Sequence, residues 1–388
     1  MALCVASLFA VLNFIAPTPF YPEMADDLDT TVSRLGQLVT VMVLISAVLG
    51  IAIGPLSDRY GYRWPLVGGM VAIGVNLIGI GVSPSFYPII ALGIFGGIAD
   101  ALVFGMPMAI AGARFDGEAQ RKAISWTWGS FSSAGIIGVP VLTLIGEVAG
   151  WRAALVIAGL GAIAGAWFAA VSIPADPKRD VAAWHWHDLI DSYVPLLKHS
   201  PTLRLYGVSI LRAACWIGLL TYLGSFLQDE LGLSVRGAGL LYTVGGCGFA
   251  IGSVVAGRRF ARISPRVLVA LTCVVAGCSI GAMLLVAELW ATMPLLFIAG
   301  FVSAISGVGI ATILAVESPA GSGTTMVLNG SLLNLGTAIG AVTGGILIAV
   351  GGYTALGIGF PLFSFAGAAL ACWPATTSKL SYSTQSSD

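Results

Sequence analysis

The chain has 388 residues and no net formal charge; 57% are hydrophobic, 9% are charged and mean hydropathy is +0.94. A soluble protein of this size carries roughly a quarter charged residues, so a water-soluble globule is excluded and an integral membrane protein is expected. A balanced charge without a basic stripe also argues against a nucleic-acid partner.

A membrane span needs about 20 apolar residues. Twelve such runs follow one another, at 1–22, 34–56, 63–83, 87–112, 122–146, 152–173, 204–228, 236–257, 266–287, 290–314, 323–350 and 354–374. The first lacks a basic leader and a small-residue cleavage site and holds Pro17 and Pro19, so it reads as a span rather than a signal peptide; its abrupt start suggests a trimmed N-terminal tail. The longest polar stretch, 174–203, follows the sixth run. The expected layout is a six-helix bundle over 1–173, a cytoplasmic linker over 174–203, a second bundle over 204–374 and a cytoplasmic tail over 375–388.

Basic residues favour the cytoplasmic side of a membrane protein. With the N-terminus inside, 14 of the 18 Lys and Arg fall in inside loops and three outside, and Arg212 lies within a span. Both termini and the linker are therefore expected in the cytoplasm. The halves also repeat: Gly54, Arg59 and Arg63 match Gly257, Arg262 and Arg266 at offset 203, Gly129-Ser130 matches Gly330-Ser331 at 201, and "GWRAAL" at 150 resembles "GYTAL" at 352. Near-constant offsets in three regions indicate parallel six-span repeats.

Several patterns carry no chemistry. All six cysteines lie in apolar runs without a Cys-x-x-Cys pair, as small buried hydrophobes do. "GCSIG" at 277–281 fits a hydrolase elbow only by chance, since no span holds a histidine to serve as base. His185, His187 and His199 sit in the linker, whose "AWHWHDLIDSYVPLLKH" reads as an amphipathic helix on the inner leaflet rather than a metal site. Neither a catalytic cluster, a metal site nor a cofactor is expected, and an enzyme, a channel and a receptor are each disfavoured.

The stretch "GPLSDRYGYRW" at 54–64, between two spans, resembles the signature of the major facilitator superfamily, and "AGRRFARISPR" at 256–266 resembles its weaker second-half echo. "DELGLSVRGAGLLYTVGG" and "LNGSLLNLGTAIGAVTGG" look like the drug/proton antiporter and sugar-efflux branch. The resemblance implies an all-α fold of twelve transmembrane helices in two six-helix bundles. It also implies alternating access, with spans one, four, seven and ten lining a central cavity. Gly54, Asp58, Arg59, Gly61 and Arg63 would form a conformational latch, with Asp58 near the start of span eleven at Gly323-Thr324. Two departures stand out. Gly93 occupies the place of the branch's usual span-four arginine, and "GIIGVPVLTLIG" keeps Pro140 without the usual Gly-Pro spacing.

Asp100 and Arg212 are the ionised residues placed well inside spans. Each costs roughly 2.5–3.5 kcal/mol at a helix centre, so each is expected to be paired or to face water. One from each half, they are expected to form a coupling pair that a proton on Asp100 would release. Asn13, Trp126, Trp216, Asn329 and Asn334 are tentative cavity residues. The expected function is proton-coupled efflux of a small organic molecule by a monomer in the bacterial cytoplasmic membrane. The alternative is uptake or facilitated diffusion of a small organic anion anchored by Arg212.

Overall fold

A computed structural model describes residues 1–114, 126–127, 130–174, 193–259, 264–319 and 322–372; at 54–56, 58–60, 108–109, 112–113, 257–259, 315 and 322–323 it describes the backbone alone. The helices in chain order are α1 (Ala2–Ile15), α2 (Tyr21–Asp27), α3 (Val32–Tyr60), α4 (Arg63–Val82), α5 (Phe86–Val103), α6 (Met106–Arg114), α7 (Val139–Ser172), α8 (Ser200–Asp229), α9 (Val235–Arg259), α10 (Pro265–Val286), α11 (Leu289–Glu317) and α12 (Ser322–Cys372). Among the described residues there is no strand.

Ten helical stretches are long and apolar enough to cross a membrane, and two of them, Ser130–Ser172 and Thr324–Cys372, are about twice the length needed. Both break at glycine. Gly150 has φ 81° and ψ 161°, and Gly352 has φ 63° and ψ −157°. Side-chain-bearing residues rarely adopt such angles, so the chain reverses there and each long stretch divides into two crossings. Twelve crossings among the described residues agree with the twelve apolar runs. These two glycines are the ones that open the repeated "GWRAAL" and "GYTAL".

The repeat extends to contacts that sequence comparison did not reveal. Trp151 Nε1, one residue after the first reversal, donates to Asp27 at 2.8 Å, and the Tyr353 hydroxyl, one residue after the second, donates to Asp229 at 2.6 Å. Each half thus ties the start of its last span to the end of its first. The expected first span is broken near its prolines: α1 ends at Ile15, a 3₁₀ turn covers Thr18–Phe20, and α2 continues to Asp27. A proline lacks the N–H that an uninterrupted helix would use.

Helices approach closely through small residues, the usual packing device in lipid, where lipid tails and apolar side chains are alike. On α9, a Cβ at Gly248 or Gly252 would lie 2.3 or 2.2 Å from a carbonyl of α11. The two halves meet along α3 against α12, where Val39, Val43, Ala338 and Ala341 form a buried seam. They meet again along α9 against the 130–149 segment. Of the linker expected over 174–203, residues 174 and 193–203 are described, and its last four already belong to α8, which starts at Ser200. Tyr193 and Leu196 pack into the second-half core, and the Tyr193 hydroxyl donates to the Ile51 carbonyl at 3.3 Å. His185 and His187 lie outside the described residues; His199 Nδ1 lies 2.8 Å from Thr202 Oγ1.

Candidate transport site

Asp100 lies on α5, 2% exposed, and among the described residues no cation pairs with it. The Ser46 hydroxyl on α3 donates to its Oδ2 at 2.5 Å, and the Asn334 amide on α12 donates to the same oxygen at 3.2 Å and to Ser46 Oγ at 2.9 Å. Oδ1 is buried without a partner. A carboxylate can accept at both oxygens, so Asp100 retains one oxygen able to carry a proton. Its donors come from both halves, which makes the site a three-residue junction between them.

The pairing expected between Asp100 and Arg212 does not form. Arg212 on α8 points into its own half, where its Nη1 donates to the Ser303 carbonyl of α11 at 3.2 Å. Opposite charge at similar depth did not bring the two together because their helix faces differ: one faces the junction, the other α11.

Asn13 is not exposed to a cavity. It is fully buried, donates to the Gly96 carbonyl at 2.9 Å and accepts from Asn76 at 3.1 Å, clamping α1 to α4 and α5 inside the first half. Trp216 is 5% exposed and packs beside Gly245 of α9, so it too is core. Trp126 is exposed, and its carbonyl accepts from Ser130 at 2.7 Å. Asn329 accepts from Ser209 of α8 at 2.7 Å, within the second half. Of the tentative residues, Asn334 alone reaches Asp100.

In the hairpin, Gly61 ends α3 with φ 96°, a turn that favours glycine. Arg63 donates to the Ala170 carbonyl and lies over Trp64, 5.1 Å from the ring centre. Of Gly54, Asp58, Arg59 and Gly323 the backbone alone is described, so the contact expected of the Asp58 latch lies outside the described residues. Arg266, the repeat partner of Arg63, pairs with Glu317.

A second inter-half cluster seals the end of the molecule that carries residues 28–31 and 230–234. The Tyr242 hydroxyl lies 2.9 Å from Thr18 Oγ1, donates to the Leu220 carbonyl at 3.1 Å and accepts from the Gly224 N–H at 3.1 Å. Gln228 donates to the Pro19 carbonyl at 2.6 Å, and Ser33 to the Gly345 carbonyl at 2.6 Å. Arg236 lies 3.9 Å from Glu147. Sequence reasoning missed Ser46, Tyr242, Thr18 and Gln228, since single hydroxyls and amides in apolar runs give no spacing signal.

Two helical halves, in contact along their interface and closed at one end, with a buried carboxylate between them, have the layout of a multi-pass membrane transporter. The chain belongs to the Major Facilitator Superfamily, whose family model matches residues 3–327. It is 26% identical over 359 residues to a chloramphenicol resistance protein of Pseudomonas aeruginosa, covering 88% of this chain and 79% of that one. It is 25% identical over 374 residues to the inner membrane transport protein YdhP of Escherichia coli K12, covering 91% and 90%. Its fold matches that of a bacterial homologue of the human lysosomal transporter Spinster in an inward-facing, unoccupied conformation, with TM-score 0.73, 15% identity and 95% and 93% coverage.

Proposed function

We propose that the protein exports a small organic molecule in exchange for protons, with Asp100 as the proton carrier. The observation that carries this reading is the Asp100 junction: a buried carboxylate with no cation partner among the described residues and one oxygen unpartnered, held by donors from both halves. When the halves rock apart, Asn334 must leave Asp100. The ionised form then loses a donor, so proton binding and the opening of the junction are linked. Action as a monomer is part of the same proposal. The distribution of Lys and Arg supports cytoplasmic termini in a bacterial inner membrane, and the sealed end is then the outer one. The names of the resistance-protein relatives support drugs as first substrates to try, and the domain boundaries at 173 and 204 are proposed on the repeat.

The test uses purified protein in proteoliposomes with an imposed pH gradient and a panel of neutral and anionic small molecules, chloramphenicol among the neutral ones. Asp100→Asn should abolish gradient-driven accumulation while leaving substrate exchange at equal pH. If the variant responds to the gradient as the unaltered protein does, the proton assignment is wrong.

A further inference from the structure

Proton exchange at Asp100 leaves Arg212 unused, and its surroundings are unusual. Arg212 is 9% exposed. Nη1 is spent on the Ser303 carbonyl at 3.2 Å, a carbonyl that also accepts from Ser306 at 2.9 Å. Nε is buried without a partner, and Nη2 makes no hydrogen bond yet is not buried. The Ser303 hydroxyl, on a residue 1% exposed, is unpartnered as well.

No described acid neutralises this charge. Asp229 accepts from Tyr353, Glu317 pairs with Arg266, Glu230 and Glu288 stand at helix ends, and Asp100 is engaged with Ser46 and Asn334. An uncompensated guanidinium inside a span is strongly unfavourable. The open positions are also the ones that matter geometrically. Nε and Nη2 form one edge of the guanidinium, two parallel donors matched to the two oxygens of a carboxylate. Gly307 lies over the face of the group: a Cβ there would lie 3.5 Å from Nη2 and 3.6 Å from Cζ and Nη1, so glycine leaves that face, Nη2 included, uncovered and a larger side chain would cover it.

We propose that the Nε–Nη2 edge of Arg212, helped by the Ser303 hydroxyl, binds a carboxylate of the transported molecule, making the substrate a small organic anion. This deepens the transport reading and rests on it. The carboxylate meets Nη2 first and completes the fork at Nε, while Nη1 stays on Ser303 and fixes the plane of the group.

The test needs no gradient. Thermal stability of the purified protein is measured at neutral pH with two matched pairs, benzoate against benzamide and cyclohexanecarboxylate against its amide. A ligand that binds only the folded state raises the melting temperature with concentration. The carboxylates should stabilise, and the amides should bind at least about tenfold more weakly. Arg212→Gln should erase the preference, Arg212→Lys should keep a weakened one, and Gly307→Val should erase it with Arg212 intact. Unliganded melting temperatures identify any variant that fails to fold, and Gly307→Val covers that case for Arg212→Gln. Carboxylates that act like their amides, or not at all, overturn the proposal, as does a preference that survives both Arg212→Gln and Gly307→Val. Asp100→Asn should keep the preference, so failure of the proton reading in the gradient assay is a separate result.

Discussion

The Asn334 amide donates to Asp100 Oδ2 at 3.2 Å while the Ser46 hydroxyl donates to the same oxygen at 2.5 Å. Because Asn334 also donates to Ser46, the three side chains act as one unit, and their contributions should not add. Ser46→Ala and Asn334→Ala are each expected to lower stability by about 1–3 kcal/mol, the range for leaving a buried polar group short of a partner. In the double variant the effects should depart from their sum by about 0.5–3 kcal/mol. Denaturation midpoints of the four proteins measure this, and additivity would mean that Asp100 is not held jointly.

Tyr242 is the hub of the sealed end, joining Thr18 of the first half to Leu220 and Gly224 of the second. Tyr242→Phe keeps the ring and removes all three contacts. Only the Thr18 contact crosses between the halves, and a hydrogen bond contributes about 1 kcal/mol net, so the open fraction at this end should rise several-fold. The reporter is Ala16→Cys, a buried position beside the seal, in a chain whose native cysteines are replaced. Its labelling by a membrane-impermeant maleimide should speed up in Tyr242→Phe. An unchanged rate would remove the hub from the gate.

The two reversals can be tested through the glycines themselves. A Cβ at Gly150 or Gly352 would meet nothing within 4 Å, so substitution by alanine carries no steric clash and isolates the backbone effect. At these angles the cost is on the order of 1–3 kcal/mol. Gly36→Ala should behave differently, because its Cβ would lie 2.0 Å from the Tyr222 hydroxyl and push α3 off α8. Gly150→Ala and Gly352→Ala should therefore lower the melting temperature without altering transport per folded molecule, whereas Gly36→Ala should impair both. Equal transport loss in all three would contradict this division.

Much of the fold was legible in the chain. Apolar runs of span length gave the crossings, and the repeat marked Gly150 and Gly352, because few backbones besides glycine make such turns. The site was legible only in part. Asp100 announced itself as an acid in a span, but which face it presents depends on helix packing, and Arg212 was wrongly assigned to it. Asn13 and Trp216 look like cavity residues in sequence because nothing local separates a polar clamp, or a core ring, from a ligand contact. Ser46 was invisible: a serine in an apolar run is ordinary, and its role exists only once α3 lies against α5 and α12.

Pro140 was noted in the sequence for its spacing, and its consequence lies in the other half. A proline cannot donate to the carbonyl four residues earlier, which here is Ile136. The backbone of 134–138 widens into a π turn, and the Thr243 hydroxyl of α9 donates to the Ile136 carbonyl at 3.1 Å. The carbonyl that the proline cannot serve thus takes part in a contact between the halves. Thr243→Val keeps the shape and leaves that carbonyl without the hydroxyl, which should destabilise the protein by about 1–3 kcal/mol. Pro140→Ala restores an N–H able to serve the same carbonyl. Adding it to Thr243→Val should then recover part of the loss, a coupling that stability measurements on the four proteins would reveal. If Pro140→Ala gives no rescue, the carbonyl finds water instead, and the Thr243 contact is incidental to the proline.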